Sequence, residues 1–239
     1  MACIADDLIG ILLGILLDMH KKLPPDYDAI EILEWAKNAK EVSGELESNS
    51  PRLLERIQLF VARFNFAKPD IEKKIGEDPM FAAHFAKEPR RTGFHERVAA
   101  EWISSLPMVN DFETLPKGGK NAIYITGDGN VHKGELANRP GKSLDFKWRT
   151  GNTTCYAMHK YTKEGGGNQD SQHKEMIANM KAFMSCNDKT CALFTIVDGP
   201  YYLGARIEEL RNVERSHPPK SFALPIEDLP EALEQFIVE

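Results

Sequence analysis

Residues 143–161 constrain the fold more than any other part of the chain. Two runs rich in β-branched and aromatic residues are separated there by Thr150-Gly151-Asn152. Gly-Asn between such runs is a hairpin signal, so the stretch predicts two short antiparallel strands. Strand side chains alternate between faces. In the first strand Leu144, Phe146 and Trp148 therefore share one face, and Asp145, Lys147 and Arg149 the other. In the second, Tyr156, Met158 and Lys160 lie opposite Cys155, Ala157 and His159. An aspartate and a lysine can thus be held on adjacent strands and project to one side. An acid that binds a metal beside a lysine that steadies an anion suits attack on a phosphodiester. An ordinary solvated hairpin face shows the same pattern.

What flanks the hairpin narrows the choice. Residues 163–167, with three consecutive glycines, form a loop, and a helix follows over about 168–185. It carries Gln169, Gln172 and Glu175 early, then Ile177, Met180, Phe183 and Met184 as apolar anchors. Residues 191–197 are continuously apolar, the pattern of a strand buried on both faces. Residues 201–213 predict a short helix, 224–226 an edge strand and 230–237 a closing helix. Ahead of the hairpin, 121–126 predict a short strand, 127–130 a turn and 131–142 a loop. Further upstream, Thr92 is a fair N-cap for a helix that runs to about 105, before Pro107. Phe94, Val98 and Trp102 form its apolar stripe, with Glu96 to one side. Arg90 and Arg91 stand at its positive N-terminal end, a suitable place for a phosphate. A solvated charged face is the plainer alternative.

The first 87 residues predict helices with no catalytic signal. Residues 5–22 suit a buried helix with Gly10 and Gly14 at i, i+4. The apolar run at 8–17 is too short to span a bilayer, and its basic residues follow rather than precede it. A second helix covers about 28–46 with Ile30, Leu33, Ala36 and Val42 as its stripe. A third covers 51–66 with Leu54, Ile57 and Val61 buried, Ser50 as cap and Pro51 in its first turn. The chain of 239 residues thus divides into a helical subdomain (1–87), suited to scaffold, dimer or DNA contact, and an α/β core (88–239). The net charge of -6 gives no general attraction to nucleic acid, so any polyanion site must be a local basic patch. The four cysteines form no CxxC pair, which argues against a disulfide framework. Cys186 and Cys191 with His159 fit no common zinc spacing.

From residue 92 the expected order is helix, three strands, helix, strand. A glutamate stands in the first helix, an aspartate in the second strand and a lysine in the third. On Glu96, Asp145 and Lys160, with Gln169 and Gln172 opening the next helix, residues 88–200 resemble the PD-(D/E)XK nucleases. The closest likeness is to small type II restriction endonucleases. The resemblance implies a central mixed sheet flanked by helices and Mg²⁺-dependent, sequence-specific hydrolysis of double-stranded DNA. It also implies a homodimer in a bacterial cytoplasm, without a membrane, as part of a restriction system. Asp145, Glu96 and Glu175 would hold the metal and Lys160 would steady the attacking water. Arg90, Arg91, Lys147, Arg149, Gln169 and Gln172 would meet DNA.

The chain departs from the family at Met158, where the family's second acid stands two residues before the lysine. Methionine does not ligate a hard Mg²⁺ ion. The acid has migrated to the following helix, with Glu175 the best candidate; or Asp128 is the first acid and Asp145-Phe146-Lys147 the core motif; or the chain binds DNA without cutting it. A repair or recombination nuclease that cuts by structure is a further alternative.

Overall fold

The structure is a computed structural model and describes residues 23–86, 93–216 and 220–237. The helix expected at 5–22, together with Arg90, Arg91 and Thr92, lies outside the described residues. The chain forms two compact units, Pro25–Phe94 and His95–Glu239.

The first unit is helical: α1 (Tyr27–Glu47), α2 (Pro51–Phe64), α3 (Lys68–Glu77) and α4 (Pro79–Ala83). Asp26 caps α1 by accepting from the Ala29 N–H at 3.0 Å, and Asp78 caps α4 by accepting from that of Phe81 at 3.1 Å. The core gathers Val42, Leu53, Ile57, Ile71, Ile75, Ala82 and Phe85. Two of the expected stripes are turned. On α2, Leu53 and Ile57 are buried rather than Leu54; on α1, Tyr27, Ala39 and Val42 are buried, while Leu33 is 68% exposed. One residue along a helix is a rotation of about 100°, so the neighbouring helices rather than local periodicity decide which flank is covered.

The second unit is α/β, with a five-stranded mixed sheet and helices. Helix α5 (Phe94–Ser104) leads to strand β1 (Asn110–Thr114). Strands β2 (Ile123–Ile125) and β3 (Val131–Lys133) pair only with each other. The hairpin is β4 (Phe146–Thr150) and β5 (Thr153–Tyr161), turning at Gly151-Asn152 as its sequence predicts. Then come α6 (Gly167–Phe183), β6 (Cys191–Asp198), a 3₁₀ turn at Pro200–Tyr202, α7 (Ala205–Arg215), β7 (Ser221–Leu224) and α8 (Leu229–Glu234). The large sheet runs β1-β4-β5-β6-β7; the first two pairings are antiparallel and the last two parallel. Strand β6, apolar but for Thr195 and the terminal Asp198, is buried along Cys191–Val197, because the parallel half of the sheet is covered on both faces.

The first strand of the large sheet is not residues 121–126, as the sequence suggested. Those residues form β2 of the separate small hairpin, and β1 takes the sheet edge. Strand β1 reads Asn-Asp-Phe-Glu-Thr; its register slips between Asn110 and Glu113, and Asp111 adopts a φ of 51°. A polar edge strand with a bulge carries no alternation to detect. The small hairpin turns through Gly129, whose φ is 84°. A Cβ there would strike the backbone of Ala182 and Cys186, so the turn lies against the end of α6.

The cluster containing Tyr156, Met158, Leu193 and Val197 of the sheet also holds Met176, Met180 and Phe183 of α6 and Leu210 and Val213 of α7. On the opposite face, register aligns Phe146, Ala157, Phe194 and Phe222 in one row across four strands. The rings of Phe194 and Phe222 stack at 4.9 Å. Leu144 departs from the expected alternation. It precedes β4, donates its N–H to the Ile123 carbonyl and packs into the α6-side cluster. Cys155, Cys186 and Cys191 are free and buried. Among the described residues no helix is long and apolar enough to cross a membrane.

Candidate functional site

Register places Asp145 and Lys160 on one face. Lys147 faces Tyr156 across β4 and β5, so Asp145, Lys147, Tyr156, Met158 and Lys160 project to the same side. That side opens into a pocket of about 340 Å³. Its wall includes Glu96 from α5, Asp145 from the approach to β4, Met158 and Lys160 from β5, and Gln172, Glu175, Met176 and Asn179 from α6. The helical residues recur at intervals of three and four, which lays them along one helix face. Lys117, Arg139, Lys142 and Ser143 from loops and His159 from β5 complete the wall.

Asp145 is fixed by both neighbours of β4. Its backbone N–H donates to the Ala157 carbonyl at 2.8 Å, and its own carbonyl accepts from the Leu115 N–H at 2.8 Å. The carboxylate Oδ2 accepts from the His159 N–H at 2.8 Å, taking a place in the ladder just before β4 begins. Burial pushes this carboxyl up to about 6; the His159 N–H opposes the rise and the nearby Glu96 carboxylate adds to it. Burial lowers the Lys160 ammonium from its ordinary range, partly offset by Asp145. Glu96 is paired with Lys117 at 2.6 Å, and Glu175 with Lys142 at 3.4 Å. Four cationic side chains face three carboxylates here, in a chain that is acidic as a whole.

Thus Glu96, Asp145, Lys160, Glu175 and Gln172 are brought together, and other expected residues are not. Gln169 stands outside the pocket wall; a Cβ on Gly166 would lie 3.0 Å from its Oε1. Lys147 shares the Asp145 face but pairs with Glu113 at 3.7 Å, and Arg149 is exposed at the far end of β4. Asp128 lies in the β2–β3 turn, accepting from the Thr126 hydroxyl and from Asn130 Nδ2 at 2.8 Å, away from this pocket. Its carboxyl is held below the usual range by those bonds. His159, read as a packing residue, is buried with Nε2 3.5 Å from Asp198, but it too lines the pocket. Among the described residues no group of three or more His, Cys, Asp or Glu side chains is arranged to hold a metal ion.

Sequence reasoning missed Lys117, Arg139, Lys142 and Asn179. The three cations sit on loops that only the folded topology brings to the pocket. Asn179 extends the spacing of Gln172 and Glu175 by one further turn, a signal the sequence does hold. Gly141 allows loop and helix to meet: a Cβ there would lie 2.7 Å from the Glu175 carbonyl and 2.8 Å from the Asn179 amide. Gly141→Ala is expected to destabilise the protein by about 1–3 kcal/mol, as overpacking does. Thermal unfolding measures this; an unchanged midpoint would show that the loop yields freely.

Comparison with protein-family models, curated proteins and solved structures finds no significant match.

Proposed function

We propose that the chain is a Mg²⁺-dependent endonuclease that hydrolyses phosphodiester bonds of double-stranded DNA, of the type II restriction kind. One observation carries this proposal: an acid from α5, an acid at the start of β4, the lysine of β5 and polar residues of α6 converge on one pocket. Supporting it, the large sheet takes its strands in the order β1, β4, β5, then β6 after α6, with the β2–β3 hairpin inserted between β1 and β4 and with β5 and β6 parallel.

The donors present suit a hard cation. Asp145 is raised by burial and by a facing carboxylate, an arrangement a divalent ion relieves. Asp145 and Glu96 would hold Mg²⁺, with Glu175 a further carboxylate in the same pocket. Mg²⁺ commonly takes only one or two protein carboxylates and fills its shell with water and phosphate. When bound it polarises the phosphate and acidifies water. The chain's own residues do the rest. The His159 N–H and the flanking strands hold Asp145 in place. The Lys160 ammonium orients the attacking water and offsets charge developing on the phosphorus oxygens. Lys117, Lys142 and Arg139 supply the local positive potential that a phosphate backbone needs. They position the duplex and read no bases. A palindromic target would call for a twofold pair of chains.

Met158 favours a second reading, a DNA-binding module without cleavage. It is 5% exposed and packs in the core, offering no oxygen where the resembled family has its second acid. Incubation with unmethylated double-stranded DNA and Mg²⁺ separates these readings. Discrete bands are expected. Structure-dependent nicks would instead indicate a repair-type nuclease, and a gel shift without cleavage would indicate the module.

A further inference from the structure

Asn179 stands one turn beyond Glu175 on α6 and belongs to the pocket wall, yet it is 1% exposed. Its Nδ2 donates to the Lys142 carbonyl and to the Met158 sulfur, both at 3.2 Å. Those bonds set the orientation of the amide, because the reverse would turn Oδ1 against the Lys142 carbonyl oxygen. Close packing against Gly141 confines it further. Oδ1 is left buried with no hydrogen-bond partner among the described residues. An orphaned acceptor lowers stability, and an apolar side chain of the same shape would remove that cost. From β5 the sulfur of the unbranched, flexible Met158 side chain accepts from Nδ2. Met158 offers the pocket no oxygen, whereas Asn179, on the same pocket wall, carries one that no protein group uses.

We propose that Asn179 Oδ1 accepts a hydrogen bond from the attacking water, after a small movement of the pocket side chains that cover it. This rests on the nuclease reading. Asn179 accepts a hydrogen bond and no proton. The water oxygen forms the new bond to phosphorus, and the bond to the leaving sugar oxygen breaks with its electron pair. One water proton reaches that leaving oxygen through solvent.

The test compares wild type, Asn179→Leu and Asn179→Asp in single-turnover cleavage of a DNA fragment with Mg²⁺. DNA affinity in Ca²⁺ and the melting temperature are measured alongside. For Asn179→Leu, cleavage about 100-fold slower is expected, the scale of one lost positioned group. Its DNA affinity should stay within about three-fold and its melting temperature close to wild type, since losing the unpaired Oδ1 offsets losing the Nδ2 bond to the Lys142 carbonyl. Asn179→Asp keeps an oxygen there; in its protonated form the other oxygen still donates to the Lys142 carbonyl, and the variant should cut faster than the leucine variant. Wild-type rates in Asn179→Leu would overturn the proposal and leave the nuclease reading standing. So would equal loss in both variants with lowered melting temperatures, which marks a purely structural residue. If Asn179→Leu does not fold, a cleavage rate for Asn179→Asp more than about 100-fold below wild type overturns the proposal. Wild type that cuts no DNA removes the nuclease reading, and this proposal with it.

Discussion

Lys160→Ala is expected to abolish DNA cleavage, by at least about 1,000-fold, while leaving DNA affinity within a few-fold of wild type. The charge on the phosphate oxygens grows only as the bond to water forms, so an ammonium aimed there favours the transition state over the bound substrate. Lys160 is one of four cations around the pocket, and Lys117, Arg139 and Lys142 remain to hold the duplex. Burial lowers the ammonium from its usual range, so truncation removes a charge whose desolvation the folded state must bear. The fold should therefore survive the truncation. Single-turnover cleavage and a binding isotherm in Ca²⁺ separate the two effects. Cleavage near wild type would remove this lysine from the proposed site.

Asp145→Asn is expected to abolish cleavage and yet stabilise the protein at alkaline pH. The folded-state carboxyl is raised to about 6 from the ordinary 3.8. The native state therefore disfavours its charged form, and the wild type loses stability as the pH rises from about 4 to about 6. Asparagine still accepts from the His159 N–H and carries no charge to bury. Its advantage should be about 1–3 kcal/mol at pH 8 and should vanish below about pH 4. Denaturant unfolding of both proteins in a chelator, at pH 8 and pH 4, measures it. Destabilisation at pH 8 would mean the carboxylate is held by contacts that outweigh its burial.

The hairpin was legible because its signal is short-range. Alternation put Asp145 and Lys160 on one side, and Gly151-Asn152 fixed where the chain turns. Strand β6 was legible from its unbroken apolar run. Strand β1 was not, since Phe112 is its only apolar residue, and residues 121–126 read as the first strand instead. Asp128 shows the limit for the site: Asp-Gly in a turn is as compatible with a cap for its own loop as with chemistry, and the loop's hydrogen bonds use it. Lys117 and Lys142 were invisible for the opposite reason. Nothing near them in sequence marks them, and they reach Glu96 and Glu175 only because the sheet gathers residues far apart in the chain.

The most direct measurement is digestion of unmethylated phage DNA by the purified protein, with and without Mg²⁺, beside Asp145→Ala. Discrete Mg²⁺-dependent fragments that disappear in the variant are expected, and their sizes would begin to define the target sequence. Intact DNA from the wild type under every condition, or equal cleavage by the variant, would contradict the assignment of this pocket as a nuclease site.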